Sequence, residues 1–265
     1  MPGVCHTAVM RIIHPAVADV ADRLRAAGCV AAQEEAEEIA AGAPDEGALE
    51  EWVRRREQGE PLAWITGSVR FCGHRVHVDR GVYVPRYQTE ELARRASELL
   101  PSSGRAADLC TGAGAVAVHL MAEAPAATVV GVDIDDRASS CARRNGVLVV
   151  IGDLGDPLRS DTFDVVTAVA PYVPTPRLEL LPPDVPRYEP RLALDGGEDG
   201  LHFVRRIVVC AARLLRPGGW LLTELGGEQD KVLRPTLAAS GFSTATPWFD
   251  GDGDLRGLVA RATGP

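Results

Sequence analysis

The sequence predicts an α/β fold built on a parallel sheet with helices on both faces, preceded by a small helical domain. Two observations predict it. From Glu90 onward, helical and strand patterns alternate along the chain, which is typical of parallel sheets covered by helices. Between Pro15 and Gln58, the chain is rich in Ala, Leu, Glu and Arg, and apolar residues recur three and four positions apart, as in amphipathic helices.

The amino-terminal region is predicted to be helical in two stretches, residues 16–42 and 46–59. The following segment changes to short β-type runs interrupted by glycine, as a hairpin linker would. We therefore expect a helical domain at 1–60, a β-hairpin linker at 61–85 and the main α/β domain at 86–265.

The main domain is predicted to contain five helices and seven strands in alternating order. The helices are predicted at residues 89–100, 115–124, 136–146, 200–215 and 228–240. The strands are predicted at residues 105–110, 127–134, 147–153, 163–170, 220–225, 243–249 and 255–263, with a turn at 216–219.

Composition and charge narrow the functional classes. The formal net charge of -9 disfavours broad binding to nucleic acid, because phosphate contacts use clustered Lys and Arg. The six cysteines show neither a CxxC pair nor a His partner at ligand spacing, so we expect reduced thiols, no disulfide framework and no metal site. Because no secretory leader and no bilayer-length apolar run is visible, a soluble, cytoplasmic protein without a membrane partner is expected.

The first chemical signal is a glycine-rich turn between a strand and a helix. The strand ends at Asp108, and Gly112 and Gly114 follow, where backbone without Cβ atoms can approach a ligand closely. Asp133 ends the next strand, 21 residues after Gly112, and suits a ribose diol. The glycines alone also satisfy the dinucleotide fingerprint, so a nicotinamide cofactor remains open at this point.

Two further carboxylates favour S-adenosylmethionine as the cofactor. Asp108 could reach the methionine ammonium, directly or through water, and Asp153, which ends the third strand, could accept from the adenine amino group. Taken singly, each has a structural alternative, a loop cap for Asp108 and a turn for Asp153. As a set they point to one site, because ligands bind at the carboxyl ends of strands in open α/β sheets.

A series of motifs between residues 59 and 262 carries a family resemblance. The motifs are GEPLAWITGSVRFCG (59–73), VPRYQTEEL (84–92), DLCTGAGAVAV (108–118), VVGVDID (129–135), GDLGDPL (152–158), PYVPT (171–175), YEPRLALDGGEDGL (188–201), LRPGGWLLTELG (215–226) and DLRGLVAR (254–261). In combination they resemble the HemK/PrmC family of protein-(glutamine-N5) methyltransferases. Known members modify the Gln of the Gly-Gly-Gln tip of release factors, or a ribosomal protein.

The resemblance implies a class I S-adenosylmethionine-dependent methyltransferase fold, Rossmann-like with a mostly parallel seven-stranded sheet. It also implies a role in substrate recognition for the helical domain at 1–60. The cofactor it implies is S-adenosyl-L-methionine, with S-adenosyl-L-homocysteine as the product. The implied cofactor-binding residues are Arg86, Thr89, Asp108, Cys110, Thr111, Gly112, Gly114, Asp133, Ile134, Gly152, Asp153, Leu154 and Val169. The implied substrate-binding residues are Tyr172, Arg191 and Asp195, although Arg191 and Asp195 could instead tie down a long loop by charge pairing.

The loop after the fourth strand is the expected catalytic loop, and it departs from the family. The family motif there is Asn-Pro-Pro-Tyr, whereas this chain has Val169, Ala170, Pro171 and Tyr172. In the motif, the Asn side chain and the next backbone carbonyl each accept one N–H of the substrate amide, which aligns its nitrogen with the methyl group. A valine side chain accepts no hydrogen bond, and an unpaired N–H costs about 1–3 kcal/mol, or about tenfold to a hundredfold in rate.

Three hypotheses stay open for the acceptor. The chain is a protein-glutamine methyltransferase with a rebuilt amide clamp, a methyltransferase acting on a small-molecule or peptide-like metabolite, or a cofactor-binding protein without activity. The partner is accordingly a release factor with its Gly-Gly-Gln tip, or a small acceptor. Retention of residues 188–201 favours a peptide-like acceptor. Tyr87 and Gln88 depart from the family near the cofactor entry, and Glu224 is expected only to order a loop.

Overall fold

The computed structural model describes residues 15–182 and 184–263, which form two compact units that meet in sequence between Thr66 and Gly67. The start of the predicted 1–60 domain, including Cys5, and the end of the 86–265 domain lie outside the described residues. No helix in the described ranges is both long and apolar enough to cross a membrane.

The first unit is helical. Its helices are α1 (Pro15–Ala26), α2 (Ala32–Gly42), α3 (Glu46–Glu57) and α4 (Leu62–Thr66). Leu24, Ile39 and Val53 are fully buried at its centre, which accounts for the apolar spacing in the sequence. The helical prediction for residues 16–42 and 46–59 is confirmed, with a break at Gly28, which has a φ of 91°. Helix α4 corrects the β-type prediction at the start of the linker.

The second unit begins with a hairpin of β1 (Ser68–Phe71) and β2 (His74–His77), which pair in antiparallel register. Its two turn residues, Cys72 and Gly73, both have positive φ, the conformation that a tight two-residue hairpin turn requires.

The main sheet has seven strands in the order β5-β4-β3-β6-β7-β9-β8. The strands are β3 (Arg105–Leu109), β4 (Thr128–Asp133), β5 (Leu148–Ile151), β6 (Phe163–Ala168), β7 (Leu215–Glu224), β8 (Phe242–Phe249) and β9 (Leu255–Ala262). The first five are parallel, and β9 runs antiparallel to both β7 and β8. The prediction of a mostly parallel, seven-stranded sheet is confirmed.

Five helices pack on this sheet, namely α5 (Thr89–Leu99), α6 (Ala115–Glu123), α7 (Asp136–Arg144), α9 (His202–Leu214) and α10 (Gln229–Ala239). A sixth, short helix, α8 (Asp184–Tyr188), has no buried residue. The core includes Leu109, Val166 and Leu221 from three neighbouring strands, packed with Ile207 and Leu214 of α9. The five helices predicted for this domain are confirmed, whereas α8 was not predicted.

The predicted turn at residues 216–219 was wrong. Strand β7 runs through these residues, and its pairing with β6 is irregular between Phe163 and Val165. Gly218, with a φ of 81°, absorbs the local bend. Pro217 and Gly218 therefore mark an irregularity inside a strand.

Candidate active site

The site lies where the strand order changes direction. The chain runs outward from β3 to β5 and then returns to place β6 on the other side of β3. In open α/β sheets, the carboxyl ends of the strands form a ligand crevice at such a point. Here a cavity of ≈ 270 Å³ is present, and seven of the expected cofactor-binding residues line it. They are Cys110, Gly112, Asp133, Ile134, Asp153, Leu154 and Val169.

The glycine loop borders this cavity with bare backbone. Gly112 has a φ of 57°, and a Cβ atom built on it would meet no other atom within 4 Å. A Cβ atom on Gly114 would instead lie 2.9 Å from Val147 and 3.1 Å from Ala142. Gly112 thus leaves room for a ligand, whereas Gly114 permits close packing inside the protein.

Asp133 is held in place at the end of β4 by backbone donors. The N–H of Gly112 donates to its Oδ2 at 2.8 Å, and the N–H of Asp135 donates to its Oδ1 at 3.0 Å. Burial raises the pKa of this carboxyl, and the hydrogen bonds from the backbone oppose that rise. Each carboxylate oxygen keeps a second lone pair, so Asp133 can still accept from a ribose diol in the cavity.

Asp108 lies beneath the glycine loop. Its side chain is buried, and it accepts from the hydroxyls of Thr111 at 2.6 Å and Thr167 at 2.7 Å. Burial raises its pKa to about 6 although both hydroxyl hydrogen bonds lower it. Asp108 and Thr111 therefore order the loop, and their contact with the cofactor stays a prediction.

The far end of the cavity contains an ion pair. Asp153 accepts from Arg206 of α9 at 2.7 Å, and both side chains line the cavity together with Phe203, one helical turn before Arg206. Leu154, with a φ of 49°, and Cys110, with a φ of 55°, hold left-handed backbone there, a strain that is common at ligand sites. Arg206 and Phe203 were missed from sequence, although their i, i+3 spacing places them on one helix face.

The expected residue Gly152 supports this region from behind. Its N–H donates to the carbonyl of Asp133 at 3.0 Å. A Cβ atom at Gly152 would lie 2.7 Å from Pro157, so this position has no room for a side chain.

A second cavity, of ≈ 380 Å³, lies beside the first. Tyr83, Val169 and Ala193 line both cavities, so the catalytic loop stands between them. The second cavity is also lined by Arg86, Gln88, Ala170, Tyr172, Glu224 and Arg256. We call it the acceptor cavity, and the first the donor cavity.

The catalytic loop is held from two directions. The side chain of Gln229 donates to the carbonyl of Tyr172 at 3.0 Å and accepts from the N–H of Gly226 at 2.9 Å. On the other side, the N–H of Val173 donates to the carbonyl of Leu194 at 3.2 Å. These bonds, with the fixed φ of Pro171, make the loop rigid. Gln229 was also missed, because no local pattern connects it with Tyr172.

Arg191 and Asp195 pair with each other. The Arg191 guanidinium donates to Asp195 at 2.8 Å, and the Thr175 hydroxyl donates to the same carboxylate at 2.5 Å. Within the described part of the chain, other residues line the two cavities. The pair ties the 188–201 segment to the catalytic loop, and direct contact with a substrate stays a prediction.

Arg86 lies in the wall of the acceptor cavity. It forms an ion pair with the buried Glu189, and its guanidinium carbon lies 4.9 Å from the centre of the Tyr83 ring. Thr89 is buried at the first position of α5. For these two residues, a role in cofactor binding stays a prediction.

Glu224, at the end of β7, lines the acceptor cavity. The residue is only 7% exposed, and its buried Oε1 has no hydrogen-bond partner among the described residues. Burial raises its pKa to about 7, opposed by a hydrogen bond from Thr89, the charge of Arg256 and a hydrogen bond from Tyr172. The sequence predicts loop ordering for Glu224, whereas the structure places it in the cavity wall with one unpaired oxygen.

Comparison with known proteins defines the class of enzyme. Residues 107–176 match the family described as a methyltransferase domain. A methyltransferase from Pyrococcus furiosus shares the fold with a TM-score of 0.54, over 73% of this chain and 91% of that chain, at 17% identity. The fold and the donor cavity define a class I S-adenosylmethionine-dependent methyltransferase. The bare backbone at Gly112 and the held carboxylate of Asp133 fit that cofactor.

Two relatives identify the family. Release factor glutamine methyltransferase of Geobacter sulfurreducens is 41% identical over 196 residues, covering 72% of this chain and 69% of the relative. The 4-amino-L-phenylalanine/4-methylamino-L-phenylalanine methyltransferase of Streptomyces pristinaespiralis is 41% identical over 203 residues, covering 72% of this chain and 69% of the relative. The chain belongs to the release factor glutamine methyltransferase family, and S-adenosylmethionine is its cofactor.

Proposed function

We propose that this enzyme methylates the side-chain amide nitrogen of a glutamine in a protein, with Glu224 supplying the hydrogen-bond acceptor that Val169 lacks. The observation that supports this is the unpaired, buried Oε1 of Glu224, a residue that lines the acceptor cavity together with Val169 and Tyr172. An amide nitrogen is a weak nucleophile, because its lone pair is delocalised into the carbonyl. An acceptor for its N–H favours the pyramidal geometry of attack.

The chemistry requires one proton acceptor. When bound, the cofactor supplies a sulfonium methyl group, and a neutral thioether leaves without acid assistance. The nitrogen lone pair forms the new C–N bond, the C–S bond breaks, and the nitrogen then releases one proton. Glu224 can take that proton and pass it to solvent, because its pKa of about 7 matches the operating pH.

A release factor is the proposed protein substrate. Relatives from Geobacter sulfurreducens, Thermodesulfovibrio yellowstonii and other bacteria are named release factor glutamine methyltransferases. The 188–201 segment, which resembles that family, packs against the catalytic loop through Val173 and Asp195. This arrangement supports an acceptor presented on a peptide.

An aromatic amine on a free amino acid is the second candidate acceptor. The relative from Streptomyces pristinaespiralis is named for such a substrate. An apolar Val169 suits an arylamine better than an amide, because the nitrogen lone pair of an arylamine is less delocalised and attacks without the help of a second acceptor. The charges of Arg86 and Arg256 in the acceptor cavity would suit its α-carboxylate.

A transfer assay separates the two candidates. Labelled methyl transfer is measured with a purified release factor, with the same factor whose Gly-Gly-Gln glutamine is replaced by alanine, and with 4-amino-L-phenylalanine. The proposal predicts label on the intact factor and none on the alanine variant. Label on the small amine with none on the factor would overturn it in favour of the second candidate.

A pair of substitutions tests the role of Glu224 on the glutamine substrate. Glu224→Leu should lower the rate about tenfold to a hundredfold, because leucine accepts no N–H, and adding Val169→Asn should restore at least tenfold, because asparagine supplies an acceptor. Val169→Ala is the matched control, since it changes the side chain without adding an acceptor. If the double variant is no faster than Glu224→Leu alone, the two positions do not share one function.

A further inference from the structure

A second group of unsatisfied side chains lies where the hairpin packs on α6. His74 is the first residue of β2, and His119 and Glu123 are four residues apart on α6, so they share one face of that helix. One ligand atom from each of the three side chains lies within 4.8 Å of the other two. The sequence predicts no metal site, because its cysteines lack a His partner at ligand spacing and His74 and the other histidines near the amino end are too dispersed.

The imidazole nitrogens of this group lack partners. His119 is 6% exposed, and in the part of the chain that the structure describes neither of its ring nitrogens has a hydrogen bond. The buried Nε2 of His74 also has none. The rings are 5.7 Å apart and tilted by 50°, a contact that leaves the nitrogens unpaired. Since buried polar groups are nearly always paired in folded proteins, one nitrogen of each ring is a candidate ligand for a metal ion.

We propose that His74, His119 and Glu123 bind a zinc ion that fastens the hairpin to α6. A point equidistant from three atoms 4.8 Å apart lies about 2.8 Å from each, and zinc bonds to nitrogen and oxygen are about 2.0–2.2 Å long. Small side-chain rotations would therefore bring the three ligand atoms within bonding distance of one ion. Imidazole nitrogen and carboxylate oxygen are both zinc ligands, and water would complete a tetrahedral set.

The access also suits a cation. Glu123 is exposed, so it provides a carboxylate and a path from solvent. Because hairpin and helix belong to the same compact unit, an ion shared between them would stabilise that unit.

A second group of possible metal ligands lies elsewhere in the structure, and its side chains already have partners. His77, Asp79 and Cys141 also have ligand atoms within 4.8 Å of one another. There, however, Asp79 lies 3.0 Å from the His77 ring and forms an ion pair with Arg144, and the Cys141 thiol donates to the carbonyl of His77 at 3.4 Å. These groups already have partners, so no ion is inferred for them.

Calorimetry with zinc chloride tests the proposal on the full-length, tag-free protein. One ion should bind per chain, and a hundredfold excess over the dissociation constant should raise the Tm by about 5–10 °C. Glu123→Gln, at an exposed position that tolerates substitution, should weaken binding at least tenfold, as should His119→Gln. His202→Gln, a histidine outside the group, is the matched control and should bind like the wild type.

Cobalt(II) provides the second readout. Bound at His74, His119 and Glu123, cobalt should lack thiolate-to-metal absorption, because the group contains no cysteine. Thiolate absorption would assign the ion to the Cys141 cluster and overturn the proposal. Absence of zinc binding by the wild type, or equal binding by wild type and Glu123→Gln, would also overturn it.

Discussion

Glu224→Gln should lower the methyl-transfer rate. At alkaline pH it should also make the protein more stable relative to the wild type. The carboxyl is buried, and its pKa rises from 4.5 to about 7 because burial disfavours the charged form. Glutamine has nearly the same shape and carries no charge. The substitution therefore isolates the free energy of holding a charge inside the acceptor cavity.

The magnitude follows from the two pKa values. A difference between 4.5 and about 7 corresponds to roughly 3 kcal/mol. Below pH 4.5, Glu224 is protonated in both the folded and the unfolded state, so it does not change the free energy of unfolding. As the pH rises to about 7, the unfolded chain loses the proton first, so the free energy of unfolding falls. The free energy of unfolding of Glu224→Gln should not fall in this way.

Urea unfolding between pH 4.5 and pH 8 measures the effect. The free energy of unfolding of the variant, minus that of the wild type, should increase by roughly 3 kcal/mol across this range. Asp108 has a raised pKa in both proteins, so its contribution cancels in the difference. Over the same range the wild-type methyl-transfer rate should rise, whereas the variant should show no such step. A constant stability difference would refute the assignment of a buried, ionising carboxyl at Glu224.

Three further predictions concern cofactor binding and the loop that contains Arg191. Asp133→Ala should weaken S-adenosylmethionine binding about tenfold or more in calorimetry, because charged hydrogen bonds contribute about 1.5–3 kcal/mol; unchanged affinity would remove Asp133 from the site. Gly112→Ala should weaken cofactor binding while the circular dichroism spectrum persists, since alanine adds a Cβ atom beside the donor cavity and strains the positive φ of the loop; unchanged affinity would show that bare backbone at Gly112 is not needed. Arg191→Ala should change stability by less than about 1 kcal/mol, because its pair with Asp195 is exposed, yet slow transfer to a protein acceptor in kinetic assays. An unchanged rate would limit Arg191 to loop structure.

The sequence predicts the main sheet and the donor cavity well because both depend on short-range patterns. Alternating strand and helix periods determine a parallel sheet, and the carboxyl ends of its strands must meet at one edge. Gly112, Asp133 and Asp153 lie at the carboxyl ends of β3, β4 and β5 or within three residues of them, so their shared position follows from the topology. Helix α4 was missed because PLAWIT has β-type composition, whereas burial of Trp64 and Ile65 favours a helical turn there.

The acceptor cavity could not be predicted in the same way. Arg86 precedes α5, Tyr172 follows β6, Glu224 ends β7 and Arg256 belongs to β9, so long stretches of chain separate them. No residue spacing reveals that such positions meet. Their juxtaposition depends on the order of the strands in the sheet and on the path of the loops.

The valine at position 169 bears on which methyl acceptor the enzyme uses, and not on the class of enzyme. It lines both cavities, whereas Gly112 and Asp133, the residues expected to hold the cofactor, line only the donor cavity. We therefore expect valine, in place of the family's asparagine, to leave cofactor binding intact and to remove one hydrogen-bond acceptor from the acceptor cavity. Under the proposed function Glu224 replaces that acceptor, because it lines the same cavity and its Oε1 has no partner among the described residues.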